Sequence, residues 1–253
     1  MTGADRQRGA GRRSGRGWAR AASALSSLGG ALLDLCYPPS CAACGEGLIS
    51  SAQEPFCPTC ADAVDPVPGG CRRCGRPGPD PTCGACLAAP PSFTSCRAAG
   101  LFGGPLADAV HALKYRDRPA LARPLGGWLA RTVALPAGAA IVAVPLGRRR
   151  RLSRGYDQAA LLARALSRAS GLPLLSLGLE RVRETRPQVG GSRAERLANV
   201  RGAFRAGPAV RGRDLVLVDD VVTTGATAEA AARALLDAGA RSVSVVALAR
   251  AVG

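Results

Sequence analysis

The chain has 253 residues, and 47% of them are hydrophobic although only 4% are aromatic. That length supports a core without disulfides, but the core has to be assembled from Ala, Val and Leu. The 34 Lys and Arg against 18 Asp and Glu leave a formal charge of +16; so much periodic apolar sequence excludes a chain-wide disordered polyelectrolyte, and the Gly and Pro follow no collagen-like period.

The charge is unevenly spread: +4 over residues 1–40, −2 over 41–86 and +14 over 87–253. Lys114 is the only lysine, so the arginine excess reads partly as a GC-rich coding bias. A basic balance otherwise raises nucleic acid as a partner. Residues 1–20 are Arg- and Gly-rich without periodicity and read as a disordered basic tail. Residues 21–36 resemble an export signal only superficially. Asp34 interrupts the run, no small-residue cleavage site follows, and Leu35 is a poor neighbour for a lipidated Cys36. Leu25, Leu28, Leu32 and Leu35 instead form one apolar stripe of a short amphipathic helix. No uncharged apolar run reaches bilayer length, so no integral membrane segment is expected.

All ten Cys lie in the stretch from Cys36 to Cys96. Eight form four C-x-x-C pairs: Cys41 and Cys44, Cys57 and Cys60, Cys71 and Cys74, Cys83 and Cys86. Two thiolates at this spacing bite one metal on a tight turn, and two such knuckles complete a tetrahedral Zn²⁺ site. Gly45 and Gly75 follow the second Cys of two knuckles, where the backbone has to be permissive. Disulfides would need an oxidising compartment, and a thioredoxin-type centre would need one such pair. The reading is two consecutive structural Cys₄ zinc ribbons over residues 37–92, in the cytoplasm, with cross-braced pairing also open. Four thiolates leave no coordination position for substrate. The metal is expected to hold this Pro- and Gly-rich module together while the rest of the chain folds on its own. Cys36 and Cys96 read as buried thiols outside the pattern.

Beyond the cysteines, helices are expected near 105–114, 119–133, 157–169 and 226–238, and strands near 139–145, 214–218 and 242–249, the alternation of an α/β fold with a mainly parallel sheet. Residues 214–227 read D-L-V-L-V-D-D-V-V-T-T-G-A-T. Leu215 to Val218 suits a strand buried on both faces, with Asp219 and Asp220 at its carboxyl end, where open α/β sheets bind ligands. Thr223, Thr224, Gly225, Ala226 and Thr227 then open an Ala-rich helix, whose first backbone N–H groups can receive a phosphate. Paired carboxylates before such a loop suit the vicinal hydroxyls of a ribose, so the ligand specified is a ribose 5-phosphate. Two acids capping the next helix are the bland alternative. Neither a Walker A loop nor a dinucleotide fingerprint is present.

On these residues the chain resembles the type I phosphoribosyltransferases, and more closely the ComF (competence protein F) family, which joins a zinc ribbon to a Rossmann-like phosphoribosyltransferase domain. The matching stretches include H-A-L-K-Y at 111–115, V-P-L-G-R-R-R-R-L-S-R-G-Y-D-Q at 144–158 and R-P-Q-V-G-G-S-R-A-E-R-L-A-N-V-R-G-A-F at 186–204. Asp157 stands where the family often has Asn. The resemblance places the transferase domain at residues 93–253. It implies that Pro145, Leu146 and Gly147 hold the pyrophosphate of phosphoribosyl pyrophosphate (PRPP), with Arg148 and Arg154 following at once. Guanidinium groups suit either pyrophosphate or a nucleic-acid backbone. Residues 184–193 look like a mobile loop able to close over the ligand, with Arg186, Gln188 and Arg193 among its polar groups. Ser192 and Glu195 make a capping box.

Mg²⁺ is expected to accompany PRPP, held mainly by pyrophosphate and ribose hydroxyls. Thr223 stands where purine-salvage relatives have an acid, no catalytic residue is identified, and nothing specifies an acceptor. Lys114 and Tyr115 match the family without an assigned contact, and His111 reads as packing on a helix. Two functions from different classes follow. One is a PRPP-binding protein of DNA uptake in natural competence, with single-stranded DNA and the competence machinery as partners. The other is an active phosphoribosyltransferase, a glycosyltransferase on an unknown acceptor, with no DNA role.

Overall fold

The computed structural model describes residues 39–48, 54–184 and 198–252. The expected basic tail, the helix over 21–36 with Cys36, the capping box of Ser192 and Glu195, and Arg186, Gln188 and Arg193 lie outside the described residues.

The cysteine-rich segment contributes two one-turn helices, α1 (Pro58–Asp62) and α2 (Gly84–Ala88). The chain then alternates strands and helices: β1 (Ser95–Leu101), α3 (Gly104–Tyr115), α4 (Ala122–Thr132) after a short 3₁₀ turn, and β2 (Ala140–Ala143). Next come α5 (Arg148–Arg154), α6 (Gln158–Ser170), β3 (Leu179–Arg181) and β4 (Phe204–Ala206). The last elements are β5 (Asp214–Val222), α7 (Ala226–Asp237) and β6 (Ser242–Arg250). Among the described residues the main sheet is parallel throughout, in the order β1-β6-β5-β2. β3 and β4 form a separate antiparallel pair.

The apolar runs of β2, β5 and β6 lie inside because helices cover both sheet faces. On one face, Leu106 and Leu113 of α3, Leu125 and Leu129 of α4, and Leu162 and Leu166 of α6 pack on Ile141, Val216 and Val218. On the other, Ala228, Ala231, Ala232 and Leu235 of α7 pack on Leu215, Leu217, Val243 and Val245. Small residues let the elements approach closely where aromatics are scarce. The clearest case is the α4–α6 crossing: a Cβ on Gly126 would lie 2.4 Å from Ala165 Cβ and 3.1 Å from Leu162 O.

The ribbons join this core. Cys41, Ala42, Phe56 and Cys57 belong to the same buried cluster as Leu125 and Leu129. Phe56 meets Trp128 edge-on, with ring centroids 5.5 Å apart, an arrangement aromatic pairs prefer. Arg131 pairs with Glu54 at 2.8 Å, and Arg118 donates to Ser40 at 2.6 Å. The second ribbon sits against β1, where a Cβ on Gly75 would lie 2.5 Å from Cys96 O. Arg97 donates to Arg72 O at 2.7 Å and Arg250 to Cys74 O at 3.0 Å.

Helix and strand positions follow the sequence pattern with informative differences. β5 does not end at Val218 but runs on to Val222, because β6 continues to pair with it. The strand expected over 139–145 is shorter, Ala140–Ala143, although Val144 N still donates to Val218 O at 2.9 Å. The arginine run 148–154 is a helix, α5, for which the sequence pattern gave no expectation. β1, β3 and β4 had no expectation.

Candidate ligand site and metal centres

Each set of four cysteines converges. The sulfur atoms of Cys41, Cys44, Cys57 and Cys60 all lie within 4.8 Å of one another, as do those of Cys71, Cys74, Cys83 and Cys86. A Zn–S bond of ~2.3 Å in a regular tetrahedron separates sulfurs by about 3.8 Å. Cys44 and Cys57 are 3.9 Å apart, and Cys74 and Cys83 are 3.7 Å apart. The donor set and its spacing fit Zn²⁺, and the pairing is first with second and third with fourth, not cross-braced. Burial works against charge on Cys41 and Cys71, but backbone N–H groups of the knuckles outweigh it and bring both thiols down to about 6. Cys96 is a buried thiol outside both sets, its pKa raised to about 11 by burial.

The two acids of β5 have different roles. β2 pairs with β5 only as far as Val218, so Asp219 to Val222 extend past the end of β2 while still paired to β6. Asp219 to Val222 thus border the region outside the carboxyl ends of the strands, the crevice position at which open parallel sheets bind ligands. Asp220 is buried, and both of its oxygens are engaged: Lys114 Nζ lies at 2.7 Å from one, and Gln158 Nε2 donates to the other at 2.9 Å. Asp219 is half-buried and accepts the Asp220 backbone N–H at 2.8 Å. Burial, then the Asp220 carboxylate, push the Asp219 carboxyl up to about 8, against the opposing pull of Lys114. Asp219 is therefore the acid left for a ligand, while Asp220 ties α3 and α6 to the sheet.

Thr223, Thr224 and Gly225 form the turn between β5 and α7. Gly225 takes φ +79°, a left-handed conformation that L side chains rarely adopt, and serves as the N-cap of α7. Ala226 and Thr227 begin the helix, whose first-turn N–H groups have no intrahelical partners. Ala226 is buried, whereas Thr227 is half-buried and Thr223 is exposed. Glu229, one turn in, is occupied elsewhere: it accepts from Ser92 N at 2.8 Å and Ser92 Oγ at 2.7 Å, anchoring α7 to the segment before β1.

Across the crevice, Pro145, Leu146 and Gly147 connect β2 to α5. Asp157 holds this loop: its carboxylate accepts from Leu146 N at 2.8 Å and, as N-cap of α6, from Ala160 N at 3.1 Å. An Asn there would offer one acceptor oxygen rather than two, which is what the departure from the family pattern adds. A carboxylate also lies at the loop: Glu184 Oε1 accepts from Arg149 N at 3.3 Å, and a Cβ on Gly147 would approach Glu184 Oε2 to 2.6 Å.

Arg148 is exposed on α5, while Arg154 stacks over Tyr115, 4.7 Å from the ring centroid. A cavity of about 850 Å³ opens here, lined by Lys114, Tyr115, Arg150, Arg154 and Tyr156 among others. Tyr156 donates to Leu113 O at 2.7 Å, and His111 lies between Phe102 and Tyr115, packing as expected.

Sequence reasoning left Lys114 without a contact and passed over Gln158, although both stood in quoted motifs. A charged residue and an amide, each beside the apolar positions of a helix facing the sheet, were the available signal. Arg76 and Arg250 carried no signal, because neither belongs to a motif read for chemistry.

Known proteins share much of this sequence. Residues 152–252 match the phosphoribosyl transferase domain, and residues 32–89 match the double zinc ribbon domain. The chain is 37% identical over 204 residues to the DNA utilization protein YhgH of Salmonella typhi, across 77% of this chain and 90% of that protein. It is 31% identical over 220 residues to Competence protein F of Haemophilus influenzae, across 81% and 94%. This chain belongs to the ComF family. Competence protein ComFC of Bacillus subtilis is 38% identical over 111 residues, 44% of each chain. ComF membership joins the two Cys₄ ribbons and the type I phosphoribosyltransferase-like sheet in one architecture.

Proposed function

We propose that this ComF-family chain binds PRPP at the carboxyl end of its parallel sheet and acts in DNA uptake. The observation that carries the first half is the extension of β5 beyond β2. It brings a half-buried carboxyl group, Asp219, and the Thr223–Thr227 turn at the start of α7 to one crevice. Asp219 meets the ribose hydroxyls, the turn receives the 5′-phosphate, and Pro145, Leu146 and Gly147 face the pyrophosphate. Mg²⁺, when bound, supplies positive charge to the pyrophosphate. Displacing pyrophosphate from the anomeric carbon needs positioning and charge stabilisation rather than a protein nucleophile. The fixed loop between Asp157 and β2 suits that task.

The second half rests on the relatives named for DNA utilization and competence, and on one surface. Arg148, Arg149, Arg150 and Arg151 are exposed on α5, beside the exposed ring of Tyr115. Cationic groups that follow a phosphate backbone, with an aromatic face for a base, are the ingredients of single-strand binding. The alternative reading, transfer of the phosphoribosyl group to an unknown acceptor, uses the same crevice.

The test is calorimetric titration with PRPP–Mg²⁺ and, separately, with a single-stranded oligonucleotide at two salt concentrations. Oligonucleotide affinity should fall steeply with salt. PRPP binding without oligonucleotide binding would support the transferase alternative. Oligonucleotide binding without PRPP binding would remove the ribose 5-phosphate assignment.

A further inference from the structure

Arg250 lies at the end of β6, in register with Val222, the residue before the Thr223–Thr227 turn. It is 4% exposed. Its Nη1 donates to Cys74 O, whereas its Nε is buried with no hydrogen-bond partner, and no carboxylate pairs with it among the described residues. A buried guanidinium is costly unless an anion or a full set of acceptors compensates it. Glu229, which lines the same small space, is taken by Ser92 and Arg233. The compensating anion is therefore not a side chain seen nearby.

The space beside Arg250 is a cavity of about 470 Å³, lined by Thr223, Thr224, Arg250, Val252 and, from the second zinc ribbon, Arg76 and Pro77. A smaller cavity at the turn shares Arg76, Thr224 and Arg250. Arg76 is held by its backbone: its carbonyl accepts from Cys71 N at 3.0 Å, closing the Cys71–Cys74 knuckle. Its exposed side chain makes no hydrogen bond or ion pair among the described residues. The knuckle is fixed to the sheet by the Gly75–Cys96 approach and by the Arg97 and Arg250 bonds described above.

We propose that the second zinc ribbon is part of the ligand site: Arg76 and Arg250 clamp a phosphomonoester dianion against the Thr223–Thr227 turn. If the PRPP reading holds, that anion is its 5′-phosphate, so this inference deepens that reading but does not need it. The hydroxyls and first-turn N–H groups of α7 approach the phosphate from one side and two guanidinium groups from the other, which is the geometry that anion recognition favours. The ribbon's metal then has a binding consequence, since it sets the position of Arg76 and of the Cys74 carbonyl that steers Arg250.

The experiment is calorimetric titration of the full zinc-loaded chain with ribose 5-phosphate, inorganic phosphate and PRPP–Mg²⁺. It compares the parent with Arg76→Ala, Arg76→Lys and Arg73→Ala, checking zinc content and melting temperature for each. Arg76→Ala should weaken ribose 5-phosphate and inorganic phosphate at least tenfold with zinc and melting temperature unchanged, and Arg76→Lys should weaken them less. Arg73→Ala, which removes the same charge from the same ribbon outside the cavity, should bind like the parent. Parent-like affinity in Arg76→Ala overturns the clamp even where PRPP binds. Equal losses in Arg76→Ala and Arg73→Ala also overturn it, as general electrostatics. A parent that binds ribose 5-phosphate and phosphate through Arg76 but not PRPP upholds the clamp and removes the PRPP reading. A parent that binds none of the three overturns both.

Discussion

Asp219 and Asp220 are adjacent and chemically identical, yet the fold divides their work. Lys114 and Gln158 hold Asp220 from two helices, and Lys114, the chain's single lysine, is 17% exposed as a side chain. Lys114→Met keeps the volume but leaves a buried carboxylate short of its cation. Removing one partner of such a pair costs about 3 kcal/mol, so a denaturant titration should show a loss near that size, largely recovered in the double variant with Asp220→Asn. Asp219 behaves in the opposite way. Unfolded, it ionises near ~3.9, but in the fold it keeps its proton up to about 8. Between these values the folded state binds more protons than the unfolded one, so stability falls as pH rises through the window. Asp219→Asn should therefore melt higher than the parent at pH 8–9 in the absence of ligand, and at the same temperature below pH 4. A constant difference across that range would show that burial of Asp219 is not what sets its ionisation. The two acids were legible in the sequence as a pair; their division of labour was not, because it depends on which helices reach Asp220.

Among the elements, β5 and α7 were readable because an all-apolar run and a Thr/Gly turn leave few alternatives. The extension of β5 to Val222 was not, since Asp219 and Asp220 look like a strand end until β6 is seen to pair past them. α5 was hidden by its arginines: no apolar periodicity marks a surface helix of Arg148–Arg154. The cysteine knuckles were legible in number and spacing, while their pairing follows from the fold. Their packing against the rest was not legible, because Phe56 and Trp128 gave no sign in sequence of meeting. Since Cys41, Phe56 and Cys57 share a core with Leu125 and Leu129, zinc removal should not leave the sheet domain untouched. Differential scanning calorimetry after chelation should show the whole transition moved to lower temperature. An unshifted main transition would show that the ribbons are independent after all.

For the whole molecule, the +16 charge is less informative than where it lies. One part is an exposed run on α5 beside Tyr115, suited to a polyanion. Another is a pair, Arg76 and Arg250, that borders the Thr223–Gly225 turn and is suited to a single phosphate. These two sites give a common basis to the two proposed functions, ligand binding at the sheet and a role with DNA, and they predict different salt dependences for the two ligands. The central claim is that the crevice beyond β2 takes PRPP through Asp219. It is tested most directly by calorimetric titration of the zinc-loaded chain and its Asp219→Ala variant with PRPP–Mg²⁺. Saturable binding by the parent, weakened at least tenfold in the variant while its melting temperature is retained, is the predicted result; equal affinity in the two proteins, or no binding by the parent, would contradict it.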